Sequence, residues 1–184
     1  MPSPNPALPA RRPAIVLVHG AWGGAWIWQR VLGPLRAAGH AVHAVTLTGD
    51  GERARLRTPG ISLQTHVADV LGLVEAEELQ GIVLVGHSYG GMVITGAADR
   101  LLQRQVPHPF GPYREPLHFD RARWAALPRC FIDCTRPAYP TIAPMRDRVR
   151  QMAGFEVIAM ATGHCPMVSE PAALAGHLLA LAGR

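Results

Sequence analysis

Apolar residues in this chain gather into short unbroken runs, separated by stretches in which they recur every third or fourth position. Ile15–Val18 is a run of four β-formers, and comparable runs stand at residues 41–47, 82–85, 129–134 and 155–161. All five predict strands, and the unbroken apolar run at 15–18 predicts one buried on both faces, as in a parallel sheet. Between them the period changes. Residues 26–38 predict a helix that Gly39 terminates. Val67, Val70, Leu71 and Val74 fall at i, i+3, i+4 and i+7 of a helix that Ser62 can cap. Helical patterns also cover residues 92–98 and 171–181, the last starting at Ser169 or Glu170.

Strands alternating with helices at this spacing predict an α/β architecture. The expected core is a doubly wound, mostly parallel sheet of about five strands, with ligands at the carboxyl ends of the strands. Residues 49–60 form a polar, arginine-rich loop, and residues 105–116, rich in Pro and His with neither period, predict a second loop or short lid. Residues 1–12 carry four prolines and no apolar periodicity, which predicts a flexible leader. A single domain is expected over 13–184, with 103–123 as a connecting loop.

Composition narrows the function classes. A chain of 184 residues with 48% hydrophobic content can bury a sizeable core without disulfides or metals. Its net charge of +5 rests on arginine alone, since lysine is absent, and the arginines are dispersed rather than gathered into a basic stripe. Nucleic acid is therefore not the expected partner. No apolar stretch approaches the roughly 18 residues that span a bilayer, so no membrane association is expected. Cys130 and Cys134 lie four apart on one strand, too far to bridge, which points to a reducing, cytoplasmic setting.

The chemistry centres on Gly86-His87-Ser88-Tyr89-Gly90, where a strand runs into a glycine-flanked serine and then a helix. Gly-x-Ser-x-Gly in that context is a nucleophile elbow: the serine sits on a strained turn with Oγ raised above the sheet, and side chains at Gly86 and Gly90 would collide with neighbouring elements. The plainer alternative is a tight βα turn in which Ser88 caps the helix. A serine hydroxyl needs a base, and His164 follows the last strand and precedes the last helix, in the chain order nucleophile, acid, histidine. A loop-stabilising hydrogen bond is the alternative for His164. The developing oxyanion needs two N–H donors, for which Tyr89 and Ala21 are the expected sources. Trp22 and His87, beside those turns, are candidates for substrate contact, whereas His19 is expected to brace the turn. The glycine-rich turn at 19–24 lacks the phosphate-binding pattern, and there is no lysine to meet a nucleotide. No metal or other cofactor is expected.

These residues resemble the α/β-hydrolase superfamily. His19-Gly20-Ala21-Trp22-Gly23-Gly24-Ala25-Trp26-Ile27-Trp28, Gly86-His87-Ser88-Tyr89-Gly90-Gly91-Met92 and Gly163-His164-Cys165-Pro166-Met167 are similar to the hydroxynitrile lyase and plant methyl-esterase branch and its bacterial relatives. The resemblance implies a small carboxylic ester as substrate and no cofactor. Hydroxynitrile cleavage is possible on the same scaffold, but the lysine typical of that chemistry cannot exist here. A catalytically weak or silent relative is the further alternative.

Two departures stand out. The turn where the family places its acid reads Cys134-Thr135-Arg136-Pro137, leaving Asp133, inside the strand, as the nearest carboxylate. The stretch 99–127 is also too short for the core strand and helical cap that the family carries there. Losing an internal strand predicts either an unpaired gap or a sideways shift of the last two strands by about 4.8 Å, unless 101–106 or 113–119 supplies a replacement strand.

Overall fold

The computed structural model describes residues 12–103 and 120–184. Its first half is a three-layer α/β unit. Strands β1 (Ile15–Val18), β2 (Val42–Val45) and β3 (Val83–Gly86) form a parallel sheet in the order β2-β1-β3. Ile15 lies opposite Val42 on one side and Val83 on the other.

β1 is central, and all four of its side chains are fully buried. Ile15 and Leu17 face one layer with Trp28, Val31 and Leu35, the last two on α1 (Gln29–Ala37), and with Leu174 and Leu178 of α7 (Pro171–Ala182). Val16 and Val18 face the other layer. There α2 (Leu63–Ala76) contributes Val67 and Val70, and α3 (Gly90–Gln103) contributes Val93 and Ala97. Burying such side chains contributes about 1.5–3 kcal/mol each, which is why this run carries no polar residue.

Local signals fix the joints. Ser62 caps α2 in a reciprocal box: its Oγ accepts from Thr65 N–H at 3.2 Å, and its own N–H donates to Thr65 Oγ1 at 3.1 Å. Gly39, with φ +86°, ends the chain's first helical segment in the left-handed region. The arginine-rich stretch expected as a loop contains a 3-10 helix, Gly51–Leu56. The strand expected at 41–47 is trimmed to β2, because Thr46 and Leu47 turn aside to meet other partners: Thr46 Oγ1 accepts from Ala25 N–H at 2.9 Å.

The second half departs from the expected continuous sheet. β4 (Arg129–Cys134) and β5 (Phe155–Met160) pair in parallel with each other only, Arg129 opposite Phe155 through Cys134 opposite Met160. Among the described residues no strand joins β3 to β4, so the expected five strands divide into sheets of three and two. Of the outcomes expected from the short 99–127 stretch, the described residues show β3 with no partner on its outer side rather than β4 moved up to pair with it. The two sheets still share one core: Ile132 of β4 and Met160 of β5 pack with Ile15, Leu17 and Met167. All four residues of β3 are only half-buried, unlike those of β1.

Residues 101–103 are the end of α3 rather than a replacement strand. The rest of that segment, residues 113–119, the proposed lid at 105–116 and nearly all of the leader lie outside the described residues. Residues 121–123, expected as loop, begin α4 (Arg121–Ala125), which Asp120 caps through the N–H groups of Ala122 and Arg123. Two further helices carry no apolar period strong enough to be read: α5 (Ala143–Gln151) and α6 (Pro166–Ser169), the latter inserted between β5 and α7. No helix among the described residues is long and apolar enough to cross a membrane.

Candidate active site

The elbow has the strain expected of it. Ser88 sits at φ +52° between β3 and α3, a conformation costly for a residue with a Cβ, and its side chain is exposed. Three glycines make the turn sterically possible. A Cβ on Gly86 would lie 2.4 Å from the Gly90 carbonyl oxygen, and one on Gly90 would lie 2.6 Å from the Val18 oxygen and 2.7 Å from the His19 oxygen. On Gly20 it would approach His87 Nδ1 at 2.9 Å and Ser88 Cβ at 3.0 Å. The glycine-rich turn after β1 is therefore pressed directly against the serine.

That turn is held by His19. Leu47 N–H donates to His19 Nε2 at 3.0 Å, and His19 Nδ1–H donates to the Gly20 carbonyl at 2.6 Å. Acceptance at Nε2 needs the neutral ring, and burial pushes its pKa below the usual value, partly countered by the Gly20 bond. His19 braces the turn, as the sequence suggested. Ala21 N–H donates to no group among the described residues, so it is free to meet a ligand. Trp22, at φ +62° and 91% exposed, projects from the same turn.

Tyr89 is positioned from a direction the sequence did not reveal. Its hydroxyl lies 2.8 Å from His66 Nδ1, and His66 Nε2–H donates to the Thr48 carbonyl at 2.9 Å. Thr48 in turn donates N–H and Oγ1–H to Asp69 at 2.7 and 2.8 Å, and Arg53 reaches the same carboxylate at 3.0 Å. Thus the Thr48–Arg57 segment, α2 and the elbow are tied together. No local signal marks His66, which lies in an ordinary amphipathic helix.

His164 lies after β5 on a segment anchored to the elbow by His87, whose Nε2–H donates to the His164 carbonyl at 2.8 Å. The two rings are 4.9 Å apart, and Tyr139 stacks on His164 with centroids 4.4 Å apart and planes at 28°. Among the described residues neither ring nitrogen of His164 nor Ser88 Oγ has a hydrogen-bond partner. Burial alone lowers the His164 pKa, with no carboxylate contributing. The structure gives His87 a different duty from the substrate contact expected of it. Its Nε2 is engaged, and its Nδ1 is enclosed without a partner among the described residues. Burial is the main cause holding its pKa down, the charges of His164 and His19 adding to it and the bond to His164 opposing.

Asp133 is not brought to His164. The carboxylate is 1% exposed and is taken up by two arginines of α5, Arg146 Nε at 2.5 Å and Arg150. The expectation that it is the third member of a triad is corrected: a carboxylate inside β4 points to the helix packed beside that strand, not past the strand's end. Among the described residues no group of acidic, His and Cys side chains could hold a metal ion.

Beyond this geometry, a sequence model described as the alpha/beta hydrolase family matches residues 15–106, half of the chain. The chain belongs to the alpha/beta hydrolase family. A carbendazim hydrolyzing esterase from Nocardioides sp. (strain SG-4G) is 58% identical over 86 residues, 47% of this chain and 36% of that protein. Methylesterase 10 of Arabidopsis thaliana is 31% identical over 130 residues, 65% of this chain and 46% of that protein. Among solved structures, a pyrethroid hydrolase from Sphingobium faniae JZ-2 superposes with a TM-score of 0.72 at 20% identity, over 93% of this chain and 97% of that one. At that identity the likeness is one of fold. The matches to the curated relatives span between about a third and a half of their length.

Proposed function

We propose that this hydrolase-family chain cleaves small carboxylic esters through a serine–histidine centre, without a metal or cofactor, in a cytoplasmic setting. The observation that carries the reading is the strained, exposed Ser88 at φ +52°, pressed against the Gly20 turn and joined to the His164 segment through His87. The likeness to the esterases named above, and the family match over residues 15–106, which hold both turns, support it.

In this mechanism Ser88 Oγ attacks the ester carbonyl carbon as its proton passes to His164. The carbonyl electron pair moves onto oxygen, where the N–H groups of Ala21 and Tyr89 receive it. When the tetrahedral intermediate collapses, His164 returns the proton to the departing alkoxide and leaves an acyl-serine. Water, deprotonated by His164, then releases the acid. Trp22 supplies apolar surface for the substrate. With so little covering the site among the described residues, acyl-group selectivity is broad and affinity weak.

Hydrolysis of short-chain p-nitrophenyl esters tests the reading. Turnover lost in both Ser88→Ala and His164→Ala supports it, and equal rates in wild type and Ser88→Ala remove the assignment. A second reading, a weak or silent relative, is favoured by the break between β3 and β4 and by the engagement of Asp133 with arginine. Under it, turnover stays at the level of Ser88→Ala.

A further inference from the structure

Among the described residues no carboxylate orients the general base: neither nitrogen of His164 has a partner there, and Asp133, the nearest strand carboxylate, is held by arginines. Two rings nonetheless pack against His164. Tyr139 stacks on it with centroids 4.4 Å apart and planes at 28°, and His87 is tilted against it at 4.9 Å. We propose that Tyr139 is the positioning residue for His164, its ring face doing by stacking what a carboxylate does in a complete triad: setting the orientation of the imidazole and favouring its cation. The inference rests on the serine–histidine reading above.

The placement of Tyr139 is built rather than incidental. It precedes the 3-10 turn Pro140–Ile142 and α5, and α5 is fastened to β4 through Arg146 and Arg150 on Asp133. The connection between β4 and Tyr139 is fastened to the segment entering His164, with Thr135 N–H donating to the Met160 carbonyl and Arg136 N–H to the Thr162 carbonyl, both at 2.9 Å. Asp133 thus bears on the site at one remove, by anchoring the helix behind Tyr139. A tyrosine face carries the negative side of the ring quadrupole, so a cation formed at His164 within about 6 Å of its centroid is attracted to it. Among the described residues the titratable neighbours of His164 are Tyr139 itself, His87, with its ring centroid 4.9 Å away, and Cys165, next in the chain with Sγ 4.0 Å from His87 Nε2.

Because Tyr139 is 41% exposed, it tolerates replacement, and Leu keeps an apolar cover over His164 while removing the aromatic face. In Tyr139→Leu, kcat on p-nitrophenyl acetate falls about ten-fold with KM within about two-fold, whereas Tyr139→Phe keeps kcat within about two-fold of wild type. The His164 ring, followed by NMR titration, loses a proton more readily in Tyr139→Leu, by a factor of about three in the equilibrium, and not in Tyr139→Phe. Should Tyr139→Leu fail to fold, Tyr139→Met carries the same expectation.

The two readings fail separately. A wild type without turnover whose His164 titration still moves in Tyr139→Leu and not in Tyr139→Phe overturns the hydrolase reading and upholds the positioning. An active wild type whose kcat and titration are both unmoved in Tyr139→Leu overturns the positioning alone.

Discussion

Asp133→Asn separates a structural carboxylate from a catalytic one. Asp133 is almost completely buried and receives Arg146 Nε at 2.5 Å and a second bond from Arg150. Replacing the carboxylate with an amide leaves two guanidinium groups facing a neutral side chain. Removing one partner of a buried ion pair costs about 3–5 kcal/mol. Asn still accepts one hydrogen bond, and the half-exposed Arg150 regains water, so about 3 kcal/mol is expected. For a chain of this size that lowers Tm by roughly 6–12 °C. A triad acid behaves differently: its amide variant keeps the geometry and lowers turnover about 10⁴-fold, in the serine protease studied most closely. The assay pairs thermal unfolding by circular dichroism with kcat on a p-nitrophenyl ester at a temperature where both proteins are folded. The expected result is a large loss of Tm with kcat within about ten-fold of wild type. A loss of kcat by a factor of about 10³ or more, with Tm unchanged, would refute the reasoning.

Three further outcomes follow from the same contacts. Gly20→Ala sets a Cβ 2.9 Å from His87 Nδ1 and 3.0 Å from Ser88 Cβ; ester hydrolysis should fall at least about ten-fold, with a stability loss of about 1–3 kcal/mol in urea titration. Ser62→Ala removes half of the α2 capping box and should cost about 1 kcal/mol without touching kcat. Burial lowers the pKa of His19, His87 and His164 below the ordinary 6.5, so below that pH the unfolded chain binds more protons than the folded one. Stability is accordingly full above about pH 6.5 and falls as the pH drops, and the urea midpoint at pH 5.5 should lie below that at pH 7.5; an equal or higher midpoint contradicts it.

What could be read from the sequence was what nearest neighbours decide. The segments 15–18 and 129–134 coincide with β1 and β4, and in β1 the apolar continuity answers to burial. Ser62, Gly39 and the elbow glycines lie where backbone geometry demands them. What could not be read depends on partners far along the chain. α5 has one buried apolar residue, Val149, and a spacing of arginines that makes sense only once Asp133 is known to lie beside it. His66 holds Tyr89 across 23 positions, and Tyr139 meets His164 across a strand and a helix. The division into sheets of three and two is likewise non-local: each strand is legible by itself, while pairing depends on what stands between β3 and β4.

The central claim is that Ser88 is an activated nucleophile in a site whose base has no carboxylate partner among the described residues. Labelling with a fluorophosphonate, followed by mass mapping of the adduct, tests it without any assumption about substrate. The account predicts a single adduct on Ser88, absent in Ser88→Ala and strongly slowed in His164→Ala. No adduct on Ser88, under conditions that label an active serine hydrolase completely, would contradict it.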